Sequence, residues 1–391
     1  MMHFIKSFLP HNMKRQVKEL FVFTTLINLA LALVTIFEPI YLYQIGYSLN
    51  KIMLFYLLVY VVYFFIIPLG AKFARRRGYE LSMFIGSVLF IAFYVSLFFI
   101  AKYPILFYIT PFIFAIQKMF YWPAYHANFA RFSDEKEEGR EISAMTVAAS
   151  LVFIIGPVLA GFIISQWGYG ILFTLASVIF LASNIPTLIT KENLKPGKFS
   201  YKGAFQDLFS KENRKSFLGY IGFGEELVAV IVWPVFISIV ISNMFDLGLL
   251  ITATTFITTL AVFYIGKLTD SKSKRKILAL GSYIYALGWF FRIFIVNTLG
   301  VFFVDTISRL GKNIISVPLI ALTYEKAKDQ EASKKRAVMS RILFFEMGLI
   351  IGKFLAIAAI FILTSFIGDE ALAFKITFIL AGAMTLLYTL L

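Results

Sequence analysis

Acidic and basic side chains occur inside stretches of the chain that are otherwise apolar for about twenty residues at a time. They are Glu38, Lys118, His126, Glu225, Glu226, Asp305, Arg309, Lys312, Arg341, Glu346 and Lys353. An ionisable group is costly in apolar surroundings, so each of these residues is a functional hypothesis. The carboxylates could take up and release protons, and the cations could hold an anionic solute or neutralise the carboxylates.

Glu225 and Glu226 are neighbours in one of these stretches. Successive side chains of a helix point about 100° apart, so we expect one of the two to face a cavity and the other to face a neighbouring helix. Two adjacent carboxylates cannot easily both stay charged in apolar surroundings. We therefore predict that Glu225 or Glu226 binds a proton, with Glu346 as the next candidate.

The spacing of Asp305, Arg309 and Lys312 puts all three on one face of a helix. We expect Asp305 to pair with Arg309, and Glu346 to pair with Lys312. The alternative is that these charges neutralise one another and serve helix packing alone. Arg292 lies near the end of its apolar stretch, where a long side chain can reach the membrane surface.

The segment from Gln117 to Asn128 is the most polar and aromatic part of any apolar stretch. It is interpreted as the wall of a substrate cavity, and the alternative is an aromatic belt at the membrane interface. The full set of cavity candidates is Glu38, Gln117, Lys118, Tyr121, Tyr125, His126, Trp233, Asp305, Arg309, Lys312 and Lys353. The sequence has no Ser/His/Asp grouping, metal-ligand spacing or Gly-rich ATP motif. We therefore expect no enzyme activity, no metal and no cofactor.

The composition indicates a helical protein that crosses the membrane many times. The chain of 391 residues is 60% hydrophobic and only 15% charged, and its mean hydropathy is +0.82. Its net charge of +15 is interpreted as a sign of membrane topology and contact with anionic lipid, which leaves no role for nucleic acid. The absence of cysteine excludes disulfides and thiolate sites.

Twelve apolar spans can be drawn along the chain. Their approximate limits are 20–45, 51–71, 80–101, 104–130, 141–166, 170–189, 216–242, 247–267, 277–297, 299–323, 336–365 and 371–391. Almost all Lys and Arg residues outside the spans then fall on one side, and the loops of the other side hold only Lys51 and Lys102. The positive-inside rule predicts that both termini are cytoplasmic. The first span is too long for a signal-peptide core, so we expect it to be retained.

Prolines and glycines in the spans recur at a spacing of about half the chain. The pairs are Pro39 with Pro234, Pro123 with Pro318, Gly70 with Gly266, and Gly156 with Gly352. Such a recurrence predicts two similar halves in the same orientation. We expect a six-helix half at 1–189, a linker with an amphipathic surface helix at 190–215, and a second half at 216–391. A docking role for the linker helix is an alternative.

Two short segments carry a family resemblance. The segment after one span reads Gly266-Lys-Leu-Thr-Asp270, followed by Lys274 and Arg275, and a weaker copy keeps Gly70 and Arg75. Together with twelve spans and a basic middle loop, these segments resemble the major facilitator superfamily of secondary transporters. The first copy has Ala74 at the position of the family's aspartate.

The resemblance implies a cavity lined by spans 1, 4, 7 and 10, and movement of a small organic solute by alternating access with proton coupling. The Gly156-Pro157 pair is similar to part of the family's antiporter motif, which favours export of a drug-like compound or metabolite. Kinks that permit this movement are expected at Pro39, Pro123, Gly156, Pro157, Pro234 and Pro318.

Other functions remain open at this point. The chain could import a solute by proton symport, move a lipid or lysolipid across the bilayer, or act as a membrane sensor that transports nothing. We expect a monomer in the cytoplasmic membrane whose partners are a small-molecule substrate, protons and membrane lipid.

Overall fold

The computed structural model describes residues 15–132, 138–186, 208, 210–271, 273–332 and 338–391, apart from side chains at several helix ends. All regular structure in these ranges is helical. The predicted linker 190–215 therefore lies largely outside the described residues. The helices pack side by side, and their polar and charged side chains meet mostly where two or more of them face each other.

The described residues up to 186 form seven helices. They are α1 (Arg15–Val34), α2 (Phe37–Gln44), α3 (Leu49–Arg77), α4 (Tyr79–Phe99), α5 (Leu106–Phe132), α6 (Glu138–Trp167) and α7 (Tyr169–Ser183). A turn separates α1 from α2 just before Pro39. A proline in the first turn of a helix loses no helical hydrogen bond, so Pro39 is compatible with the start of α2 at this point.

The described residues from 210 onward form eight helices and three short 3₁₀ segments, besides one π-helical turn. The helices are α8 (Arg214–Ile221), α9 (Gly224–Leu227), α10 (Trp233–Val240), α11 (Met244–Ser271), α12 (Lys274–Phe291), α13 (Thr298–Ala332), α14 (Val338–Phe366) and α15 (Glu370–Thr385). The 3₁₀ segments are Lys211–Asn213, Arg292–Phe294 and Leu386–Leu390.

The span that carries Glu225 and Glu226 is interrupted twice. A turn at 222–223 separates α8 from α9, and a π-helical turn at Val228–Val232 separates α9 from α10. Pro234 follows in the first turn of α10. Because proline has no N–H, the helix before it must rearrange its hydrogen bonds, and a π-helical turn is one way to do so. The two glutamates thus lie on a short helical piece between two irregular joints.

Nine helices in the described part of the chain are long and apolar enough to cross a membrane. Three other helices coincide with predicted spans and fall short for physical reasons. α7 has only 15 residues, whereas α5 and α13 carry the polar and charged side chains described above. The chain is therefore a multi-pass membrane protein, and the count of twelve spans with pseudo-symmetry stays a prediction.

The two halves contact each other closely at one end of the bundle. There, Asn50 donates hydrogen bonds to the carbonyl oxygen of Phe361 at 3.0 Å and to Ser365 at 2.8 Å. α6 and α11 also cross at close range, where a Cβ atom on Gly248 would lie 3.0 Å from the Pro157 carbonyl carbon. We call this end the Asn50 end, and we call the end that carries Arg75–Arg77 and Lys274–Lys276 the basic end.

The residues of the two segments that carry the family resemblance are placed separately from the predicted kink residues. Gly70 packs against the backbone of Met119, Arg75 lies in the last turn of α3, and Lys274 and Arg275 begin α12. Gly266 and Asp270 belong to α11, but their surroundings lie outside the described residues. The kink candidates Pro39, Pro123, Gly156, Pro157, Pro234 and Pro318 are all buried within helices.

Candidate functional site

A cavity of about 640 Å³ lies between the two halves. Its walls come from both halves and are mostly apolar and aromatic, and this volume suits a small organic molecule. Its charged lining residues are Glu38, Lys118, His126, Glu226, Lys312, Glu346 and Lys353. The structure thus brings seven of the predicted site residues to one cavity.

Glu226 and Lys353 form an ion pair in the cavity wall. Lys353 Nζ lies 2.6 Å from Glu226 Oε2, and the Glu226 side chain keeps 36% of its surface exposed. The pair connects α9 with α14. Because Glu226 holds its lysine at close range, both charges are compensated within the wall.

Glu225 points the other way and is fully buried. Its carboxylate pairs with Lys312 and accepts hydrogen bonds from Tyr285 at 2.6 Å and from Tyr388 at 2.8 Å. The expected division of the two neighbours between cavity and helix interface is therefore confirmed. Lys312 reaches the cavity, but its Glu225 partner lies behind the wall.

Glu38 has hydroxyl groups as neighbours. It is 7% exposed, and Tyr94 donates a hydrogen bond of 2.5 Å to Oε1. Tyr56 also interacts with this carboxylate, and Lys118 acts on it electrostatically. Among the residues that the structure describes, no nitrogen of Lys, Arg or His lies within 4.0 Å of the Glu38 carboxylate.

Lys118 reaches the same cavity from α5. Its Nζ lies 4.2 Å from the centroid of the Phe114 ring and 5.8 Å from that of Tyr60. Lys353 also lies 5.8 Å from the centroid of Tyr60. The two ammonium groups therefore converge on one tyrosine ring.

His126 and Glu346 join the halves across the cavity, since His126 Nε2 lies 3.1 Å from Glu346 Oε1. The prediction that Glu346 pairs with Lys312 is wrong, because Lys312 contacts Glu225 instead. Both lysine and carboxylate line the cavity, but Lys312 of α13 contacts Glu225 of α9. Sequence spacing gives depth along a helix and leaves the lateral partner undetermined.

Asp305 forms a second polar cluster outside the cavity lining. Arg309 donates to it at 2.6 Å, Trp233 at 2.9 Å and Thr254 at 2.7 Å. The predicted Asp305–Arg309 pair is therefore present. Asp305, Arg309 and Trp233, which were also cavity candidates, are absent from the cavity wall and connect α10, α11 and α13.

Arg292 belongs beside this cluster, and the expectation that it reaches the membrane surface is wrong. It is 3% exposed, and its guanidinium carbon lies 3.7 Å from the Trp289 ring and 4.0 Å from the Trp233 ring. Two tryptophan faces can hold a guanidinium by cation–π attraction inside the protein. Trp289 precedes Arg292 by three residues, and this spacing could have indicated the contact.

The aromatic part of α5 only partly lines the cavity. Gln117 and Tyr121 are buried behind the wall, and Tyr125 stacks on Tyr121 with 5.7 Å between ring centroids. Trp122 lines the cavity and stacks on His126. It was missed as a site residue, although it lies one helical turn before His126.

Three cavity residues on α3 were also missed: Tyr56, Tyr60 and Tyr63. Their spacing of four and three residues puts them on one helix face, and this signal was available in the sequence. No group of three His, Cys, Asp or Glu residues in the described ranges could hold a metal ion.

The arrangement places carboxylates and lysines in a wall that is otherwise mostly apolar, so it is suited to binding a small molecule that has both a charged group and an apolar part.

Comparisons with known proteins agree with this geometry. The family model described as Major Facilitator Superfamily matches residues 20–245, which is more than half of the chain. The chain is also similar to the Bacillus subtilis (strain 168) protein "Uncharacterized protein YqgE". The two are 22% identical over 343 residues, which cover 83% of this chain and 78% of the relative. The multi-pass helical structure of the chain and its cavity with charged lining residues agree with the family match. The chain therefore belongs to the major facilitator superfamily, whose members are membrane transporters and not enzymes.

Proposed function

We propose that this transporter moves a small organic solute by alternating access, coupled to a proton that binds at Glu38. The observation that carries the proposal is the environment of this carboxylate. Glu38 lines the cavity and is buried, and the groups that face it are Tyr56 and Tyr60 of α3, Tyr94 of α4 and, at longer range, Lys118 of α5.

The other carboxylates in the cavity wall and directly behind it have a positively charged or imidazole partner at contact distance. Glu226 holds Lys353, Glu225 holds Lys312, and Glu346 faces His126. A carboxylate that keeps a lysine beside it is stabilised in its charged form. Glu38 has only hydroxyl donors at contact distance and Lys118 at longer range, so binding a proton removes a charge that no adjacent cation compensates. We therefore rank Glu38 before Glu225, Glu226 and Glu346, which stay candidates.

The joints around Glu225 and Glu226 support movement of the second half. The turn at 222–223 and the π-helical turn at 228–232 flank this piece of helix, and irregular turns of this kind can absorb changes in backbone angle. The Asn50 end is closed by direct contacts between the halves. Alternating access would require these contacts to open when the cavity changes sides.

Two indications point to opposite directions of transport. The Gly156-Pro157 pair favours export, as in the sequence analysis. The attraction between Glu38 and Lys118 favours symport of an anionic solute. The charged Glu38 would compete with such a solute for Lys118, and a proton on Glu38 removes this competition. We favour symport, which in a cell with an inward proton gradient means import.

By the positive-inside rule we assign the basic end and both termini to the cytoplasm. The protein would lie in the cytoplasmic membrane, and we expect a monomer.

The test uses purified protein in liposomes that contain a pH-sensitive dye, with a panel of anionic, cationic and zwitterionic solutes. We expect a solute that moves protons with the native chain to move none with Glu38→Gln, while exchange of labelled for unlabelled solute continues. Asp246→Asn is the matched control because Asp246 is exposed at the start of α11. Coupled proton movement that survives Glu38→Gln would sink the assignment to Glu38.

A further inference from the structure

We infer that the cavity binds an amphipathic organic monoanion, with the anionic group held by the ammonium of Lys118. The inference rests on the proposed function, because it takes the cavity to be the transport site. It adds the chemical class of the solute and the residue that selects it.

Lys118 has no carboxylate partner at contact distance in the described part of the chain. Its nearest described ring neighbours are Phe114 at 4.2 Å and Tyr60 at 5.8 Å, and neither carries a full negative charge. An ammonium group in a largely apolar wall is costly unless an anion compensates it. A bound anionic group would supply this compensation.

Two lysine ammonium groups approach each other at the Tyr60 ring. Lys118 and Lys353 both lie 5.8 Å from the centre of the Tyr60 ring, and they repel each other electrostatically. Lys353 has Glu226 at 2.6 Å, which offsets its own charge. An anion beside Tyr60 would contact Lys118 directly and would also gain from the positive charge of Lys353.

The other lysines of the wall have carboxylate partners, because Lys353 is paired with Glu226 and Lys312 with Glu225. Lys118 has Glu38 only at longer range, and a proton on Glu38 removes that negative charge. One lysine without a paired carboxylate matches a solute with one anionic group better than a cation.

The rest of the cavity suits an apolar body. The walls next to the charged groups include Leu31, Phe90, Trp122, Phe153 and Ile315. A cavity of about 640 Å³ can hold a fused ring system or a medium-length hydrocarbon chain. Aromatic walls would also attract an organic cation, so the test must compare head groups of opposite charge on one skeleton.

The experiment measures equilibrium binding to purified full-length protein in detergent by isothermal titration. The ligands are 1-naphthaleneacetate, 1-naphthaleneacetamide and 2-(1-naphthyl)ethylamine, together with octanoate, octanamide and octylamine. Each set keeps one apolar body and changes only the head group. We expect at least one of the two anions to bind about tenfold or more tightly than its amide and amine, as a charge-assisted hydrogen bond implies.

The variants assign this preference to one residue. Lys118→Gln should weaken anion binding about tenfold or more and leave amide binding within about twofold, whereas Lys118→Arg should keep the preference for the anion. Glu38→Gln, which fixes the neutral form of that side chain, should bind the anion at least as tightly as the native chain does. The matched control is Lys102→Gln, because Lys102 is an exposed lysine that lies 5.3 Å from the ring of Tyr103.

The outcomes separate this inference from the proposed function. Equal or tighter binding of the amide or amine, absence of binding by every anion, or an anion preference that survives Lys118→Gln would overturn the inference. A preference for the anion that depends on Lys118 would support it even if no proton moved in liposomes, in which case only the proton coupling would fail. Coupled transport of a cation would keep the proposed function and overturn the anion site.

Discussion

Lys353 Nζ lies 2.6 Å from Glu226 Oε2, and this contact ties the long helix α14 to the short piece α9. Both side chains line the cavity, and α9 lies between the two irregular joints of its span. The pair therefore holds a short helical piece between two irregular joints against a continuous helix. Breaking it would release a charge into the cavity and loosen the joint at the same time.

We expect Glu226→Gln and Lys353→Gln each to lower thermal stability, because each leaves one charge of the pair uncompensated. The pair is partly exposed, so the loss should be moderate, about 1–3 kcal/mol. The double variant Glu226→Lys with Lys353→Glu should recover most of it. Unfolding followed by tryptophan fluorescence in detergent measures the effect. If the double variant were no more stable than the single ones, the contact would contribute little to the fold.

The cluster around Asp305 should contribute more to stability than the Glu226–Lys353 pair does. Asp305 is 1% exposed and accepts bonds from Arg309, Trp233 and Thr254. Asp305→Ala would leave a partly buried arginine without its anion and should cost about 2–4 kcal/mol, seen as a lower unfolding temperature. The control is Asp369→Ala, which removes an acidic side chain that caps the exposed start of α15. A loss no larger than that of the control would contradict a structural role for Asp305.

Anion binding offers a second readout for the same variant. Asp305 is absent from the cavity lining, so Asp305→Ala that still folds should bind the naphthalene ligands within about twofold of the native chain. A specific loss of binding at unchanged stability would instead place Asp305 in the transport site.

Sequence reasoning worked where the answer depends on a single helix. The division of Glu225 and Glu226 follows from the angle between successive side chains, and Asp305 with Arg309 follows from their spacing on one helix. It failed where the answer depends on the rotation of two helices about their axes. Lys312 and Glu346 line the same cavity, yet one contacts Glu225 and the other contacts His126.

Burial was also hard to predict for long side chains. Arg292 stands near a helix end, where arginine usually extends to the surface, but two tryptophan rings enclose it. Gln117 and Tyr121 are polar and lie on the same helix as cavity residues, yet both are buried behind the wall. Which face of α5 meets the cavity depends on how α5 packs on α3 and α4, which one sequence does not contain.

The Asn50 end can be tested by cross-linking, because the chain contains no cysteine. Asn50 Nδ2 lies 2.8 Å from Ser365 Oγ across the boundary between the halves, so cysteines at both positions should form a disulfide on oxidation. We expect the oxidised Asn50→Cys, Ser365→Cys protein to lose transport and to regain it on reduction. Lys51→Cys with Ser365→Cys is the control, since Lys51 points away on the next helical position. Full transport by the cross-linked protein would mean that this end does not open.

The direction of coupling follows from which charges compete. If a bound anion and the charged Glu38 both interact with Lys118, a proton on Glu38 leaves the lysine available to the anion, so that proton and anion bind together. When 1-naphthaleneacetate or octanoate, whichever the protein binds, is added outside the liposomes, its inward movement should then carry protons inward and acidify the lumen. Lys118→Arg should keep the sign of this movement, and Glu38→Gln should abolish it while anion exchange continues. Because a weak acid can also cross the bilayer by itself, liposomes without protein give the baseline. Protein-dependent alkalinisation of the lumen would indicate antiport, and it would restore the export that Gly156-Pro157 suggests.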